Sequence, residues 1–205
     1  IAVELPAGLA AVDVVSIARA AGSGHRFAFA TKDGRLTPVT IEFTSGFDQG
    51  ERRITPTITI GSPMQVTPAT ERILRLAYQP TDQGPLASVL TDQGHLWYTA
   101  GSSGSSPVAL TNHGTESVTS FIFDSRGETL SVGTVGGKLY RYELREGVQP
   151  SLSETIPVAS AGTAIWVEVA GGTLATNGAA GLGKKMARAR MLPKPSTSVT
   201  SQALF

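Results

Sequence analysis

The sequence predicts an all-β fold assembled from repeating four-stranded sheets, and three observations carry that expectation. Glycines and prolines, 23 and 12 in 205 residues, are spread along the chain and separate short runs rich in β-branched and aromatic residues. The stretch TSFIFDSRGETLS (119–131) superimposes on TAIWVEVAGGTLA (163–175) at a shift of 44 residues, setting Phe121 on Ile165, Phe123 on Val167, Gly127 on Gly171 and Leu130 on Leu174. The phrase Thr-x-x-Gly-x-Leu recurs as TKDGRL (31–36), TDQGHL (91–96) and TVGGKL (134–139), each time after a short apolar strand.

A unit of about 44 residues made of short antiparallel strands has the size of one propeller blade. A single blade has two apolar faces and cannot cover both, so blades stack. The fold class is therefore a β-propeller, with blades near 11–68, 69–112, 113–158 and 159 to the end. About four blades make a partial ring, and the start IAVELP, without a Met or a signal peptide, reads as an excised or processed piece. Residues 1–182 form the propeller and 183–205 a basic, then Pro/Ser/Thr-rich tail, expected to be mobile.

Within the first unit, VTIEF (39–43) places Val39, Ile41 and Phe43 on one face, and ITPTITI (54–60) does the same with Ile54, Ile58 and Ile60. Between them TSGFDQGERR reads as a polar loop closing a long hairpin. Pro56 lacks a donor, which puts its strand at a sheet edge. In the second unit TDQG occurs twice, at 81–84 and 91–94, bracketing PLASVL. Asp accepts from nearby backbone and Gly tolerates positive φ, so both copies read as turns entering and leaving one strand. The aromatics Trp97, Tyr98, Tyr140, Tyr142 and Trp166 fall within or beside strands and read as blade packing.

Composition narrows the function classes. Seventeen basic against sixteen acidic residues give a net charge of +1, which offers no whole-chain case for nucleic acid or an acidic membrane. There is no cysteine, which excludes disulfides, thiolate metal sites and cysteine nucleophiles. The most apolar runs, 9–21 and 165–170, carry charges before they could span a bilayer, so membrane attachment is expected only through segments outside this chain.

Few motifs point to chemistry. GAAGLGKK (178–185) follows the phosphate-cradling pattern until its last position, where Lys185 replaces the hydroxyl that must reach magnesium. The basic cluster Lys184, Lys185, Arg188 and Arg190 is the candidate contact for an anionic partner. His25, His95 and His113 lack metal-ligand spacing and read as polar surface residues near strand turns. GSSGS (101–105) misses the nucleophile elbow at Ser105 and reads as a loop between strands. No cofactor, metal or catalytic residue is assigned.

The segments LTDQGHLWY, SFIFDSRGETLSVGTVGGKLYRYEL and IWVEVAGGTLAT resemble WD-like propeller blades of a bacterial type. They are similar to the extracytoplasmic propeller insertion of some proteobacterial phosphate ABC transporter permease subunits, over about residues 10–182. That resemblance implies a non-catalytic, periplasmic accessory or docking domain in phosphate import, with other transporter subunits or a periplasmic binding protein as partners. Two alternatives remain open: a general propeller scaffold for protein partners, and a propeller hydrolase or lactonase. An incomplete ring would leave apolar blade faces exposed, so self-association or marginal stability is expected.

Overall fold

The computed structural model describes residues 11–21, 23–68, 70–101, 105–145, 148–158, 165–170, 173–174 and 188–191. A 3-10 turn at Ala11–Asp13 leads into β1 (Val14–Arg19), β2 (Arg26–Thr31), β3 (Arg35–Asp48), β4 (Glu51–Ile60) and β5 (Met64–Gln65). Their sheet runs β1-β2-β3-β4, with β5 also on β3. The second sheet is β6 (Ile73–Thr81), β7 (Gly84–Thr91), β8 (Leu96–Ala100) and β9 (Val108–Ala109), in that order. The third repeats it with β10 (Val118–Phe123), β11 (Thr129–Thr134), β12 (Lys138–Glu143) and β13 (Ser151–Pro157). A fourth holds β14 (Ile165–Ala170), β15 (Thr173–Leu174) and β16 (Arg188–Met191) in the order β15-β14-β16.

The described sheets are the blades of a partial propeller. Strand β1 packs on β6, β6 on β10, and β10 on β14, so the first strand of each sheet meets the first strand of the next. Two apolar cores fill the first two junctions. In one, the small side chains Ala18, Ala28 and Ala30 lie against Tyr78, Ala87 and Val89. In the other, Leu86, Leu96 and Tyr98 meet Phe123, Leu130 and Tyr142. Val89 on one face of β7 and Leu86 on the other belong to different cores, as alternation along a strand requires.

The two TDQG copies are turns at opposite ends of β7. Thr81 pairs with Gly84 around Asp82 and Gln83, and the Thr81 hydroxyl donates to the Gly84 carbonyl at 2.8 Å. At the far end Gly94 N–H donates to Thr91 O at 3.0 Å, with Gly94 at φ +79°.

The first sheet departs from the sequence reading at TSGFDQGERR, which is no loop. The ladder continues from Val39↔Ile60 through Thr44↔Thr55 and Gly46↔Arg53 to Asp48↔Glu51. Gln49 and Gly50 close it with φ of +52° and +86°. Two consecutive positive φ values twist in the sense of the flanking strands, and that lets polar residues stay paired up to the tip. Beyond residue 41 the hairpin projects about 20 Å past the start of β2.

Strand β4 is at the sheet edge, where Pro56 had placed it. The N–H groups of Ile41 and Gly61 bond to His25 O and Pro38 O. That fixes the ladder phase, so the missing N–H of Pro56 falls on the open outer side of β4.

The fourth sheet differs from its neighbours. Arg188–Met191, read from sequence as part of the tail, pairs with Ile165–Ala170 on the side opposite β15. RARM alternates basic and apolar residues, a strand period hidden within the charge run. The superposition of 163–175 on 119–131 also shifts. Leu130 pairs with Phe123 and Leu174 with Val169, so by ladder position Val169, not Val167, matches Phe123. Phe123 and Leu130 are seven positions apart in sequence and Val169 and Leu174 five, which is the two-residue offset.

Candidate functional site

Turns and connections at one end of the second and third sheets build a cleft of about 570 Å³. The β6–β7 and β10–β11 turns supply Gln83 and Arg126. The connections leaving β8 and β12 supply Ser105, Ser106, Arg145 and Gln149. Its apolar lining is Leu86, Tyr98 and Val108 of the second sheet, with Val108 paired to Tyr98, together with Leu144 and Pro150 of the third. The long β3–β4 hairpin leaves the first sheet at the same end, beside the β1–β2 connection.

Glycines set the floor. Gly127 sits at φ +73°, and a Cβ there would come within 2.7 Å of Thr81 Cγ2 and 2.8 Å of Leu86 Cδ1. Gly84 faces Gly101 so closely that its Cβ would meet Gly101 Cα at 3.2 Å. The approach at Gly127 brings the third blade against the second at their turn ends, and that of Gly84 to Gly101 closes the second blade on itself.

The chemistry offered is recognition by charge and apolar contact. Arg126 and Arg145 keep guanidinium side chains 65% and 73% exposed, beside Glu128 at 3.9 Å and Glu143 at 2.9 Å. Guanidinium forks match the two oxygens of a carboxylate. Burial pushes the Tyr98 phenol up to about 12, so it stays neutral.

At the opposite end, two acid-centred networks repeat at blade spacing. Glu71 accepts from Thr91 Oγ1 at 2.7 Å and Trp97 Nε1 at 2.9 Å, and lies 2.9 Å from His95 Nδ1. Glu116 accepts from Thr134 Oγ1 at 2.6 Å and Lys138 Nζ at 2.5 Å. Burial works against the Glu71 carboxylate, but bonds from Trp97, Thr91 and His95 outweigh it and hold the carboxyl below its usual value. Lys138, then Thr134, does the same for Glu116. These networks tie the strand-entry segment of a blade to its second turn.

Both glutamates were missed from sequence; the Thr-x-x-Gly-x-Leu phrase marked only the threonines they bind. Of the histidines, His25 is exposed and stacks edge-on with Phe43 at 5.3 Å, and His95 joins the Glu71 network. His113 corrects the surface reading. It is buried, with its ring 6.5 Å from that of Tyr140, because the link between the second and third blades folds inward there. Tyr98, Tyr140 and Tyr142 are buried in the blades, as their placement in strands implied. Of the basic cluster, Arg190 pairs with Trp166 and Arg188 with Glu168 along the backbone, whereas Lys184 and Lys185 lie outside the described residues. The GAAGLGKK segment lies outside them too.

No family model matches the chain, and no curated protein matches it in sequence. Among solved structures it is similar to apo AztD from Citrobacter koseri, with 17% identity and a TM-score of 0.49 over 77% of this chain and 38% of that one. The β-propeller domain of Myceliophteria thermophila Cps50 (Swd1) shows 10% identity and a TM-score of 0.46, over 78% and 46%. The WD40 domain of SCAP from fission yeast gives 16% and 0.45, over 70% and 33%. The chain thus spans a third to under half the length of these proteins.

Proposed function

We propose that the chain is a protein-docking propeller module whose cleft between the second and third blades takes an extended, acidic segment of a partner. One observation carries this reading: exposed Arg126 and Arg145 sit at the rim of a cleft walled by Leu86 and Tyr98, so carboxylates and apolar side chains are met together. Titration against a library of acidic, leucine-containing peptides tests it. Arg126→Glu with Arg145→Glu should weaken binding at least about tenfold, as lost charge-assisted pairs do. Equal binding by the wild type and the double variant would sink it.

The blade phrases at 90–98, 120–144 and 165–176 support a finer reading, that this module is the periplasmic accessory domain of a phosphate ABC transporter permease subunit. Its partners would be other transporter subunits or a periplasmic binding protein. In that setting Lys184, Lys185, Arg188 and Arg190 would face an anionic partner. Transmembrane permease segments encoded next to this stretch would support the reading, and a self-contained cytoplasmic reading frame would remove it.

A further inference from the structure

The β3–β4 ladder sorts its side chains into two unlike faces. Pairs Ile41↔Ile58, Phe43↔Pro56 and Ser45↔Ile54 share one face, which ends at Phe47↔Arg52 near the tip. Pairs Glu42↔Thr57, Thr44↔Thr55 and Gly46↔Arg53 make the other. The first face is strongly apolar yet open: Phe47 is 81%, Ile54 58% and Phe43 48% exposed.

This strip continues a blade surface. Phe27 pairs with Val39 on the same side, opposite Ala28 and Ala30, which pack on the second sheet. At the first two junctions an apolar sheet face is covered by another sheet. The hairpin carries a face of that kind outward and leaves it bare.

We propose that this strip is a dimer interface, on which the hairpin of a second copy lies antiparallel, face to face. Phe43, Phe47, Ile54 and Ile60, all exposed on this face, present several hundred Å² of contiguous apolar surface, the size at which a patch marks an interaction site, and the polar rim of each copy would add to the area buried. The sequence of sizes fits self-pairing. Phe43 and Phe47 flank the small Ser45, so a two-fold arrangement drops a phenyl ring of each copy into the notch of the other. Edge-to-edge pairing is the poorer route, because Pro56 removes a donor in the middle of the outer edge of β4.

Sedimentation velocity over a dilution series tests this on the whole chain. A dimer that dissociates on dilution is expected. Phe47→Asp with Ile54→Asp should weaken it at least about thirtyfold with an unchanged circular dichroism spectrum, since both side chains are exposed in the monomer. A wild type that stays monomeric overturns the proposal, as does a dimer that survives the double substitution. A monomer that co-sediments with phosphatidylglycerol vesicles through Phe47 would assign the strip to lipid and overturn it too.

Discussion

The side chain of Gln79 bridges three blades at one point, donating from Nε2 to Ser125 O at 2.9 Å and accepting from Ala21 N–H at Oε1, also 2.9 Å. Gln79 is 4% exposed, whereas Ser125 is exposed and Ala21 half-buried, so water can partly replace the amide at both backbone groups. Gln79→Leu should therefore destabilise the fold by about 1–2 kcal/mol, roughly the net worth of two ordinary hydrogen bonds. Urea unfolding measures it, and a loss under half a kcal/mol would show that the junction does not depend on this amide.

Two glycines with similar backbones separate strain from crowding. Gly127 and Gly94 have φ of +73° and +79°, but only Gly127 has neighbours where a Cβ would stand. Gly94→Ala should cost about 1–2 kcal/mol from the left-handed conformation alone. Gly127→Ala adds overpacking against Thr81 and Leu86 and should cost about 1–3 kcal/mol more. Paired denaturation curves compare them; equal losses would mean that the second blade yields to the intruding methyl.

Acid should weaken the molecule in two stages. Burial pushes His113 below its usual value, and nearby Glu116 only partly offsets this. A lowered histidine pKa means the unfolded chain binds the proton first, so stability is full above 6.5 and falls as pH drops through the folded value. The lowered Glu71 and Glu116 contribute stability that is present above 4.5 and lost as pH falls through their folded values. Melting temperature against pH should show both declines. His113→Gln should remove the upper one and keep the lower, and an unchanged upper decline would exclude His113 as its source.

Tyr142 carries a buried hydroxyl with no hydrogen-bond partner among the described residues, and burial pushes it up to about 12. Tyr142→Phe removes a desolvated polar group and leaves the ring packing intact. It should leave stability unchanged or raise it by up to about 1 kcal/mol. Loss of more than that in a thermal melt would reveal a partner for the hydroxyl.

The all-β, sheet-by-sheet architecture was legible because Gly turns and apolar strands recur along the chain, and the turn role of TDQG followed from the same chemistry. Less was legible where geometry is long-range. Glu71 and Glu116 lie in segments of no fixed pattern, and only folding brings them to Thr91 and Thr134. The cleft was invisible for the same reason: Arg126 and Arg145 come from turns 19 residues apart that meet at one end of the sheets. The hairpin tip misled because polar residues pair in a ladder as well as apolar ones do when the turn has the right twist.

Pro56 also bears on how the chain behaves when crowded. A bare β edge with an unbroken row of donors templates strand addition and, eventually, fibrils. On β4 the gap leaves Arg52 and Ile54 on one side of it and Ile58 and Ile60 on the other, so an incoming strand gains no long run of bonds. A single imino acid thus guards a greasy, extended arm against amyloid-like growth.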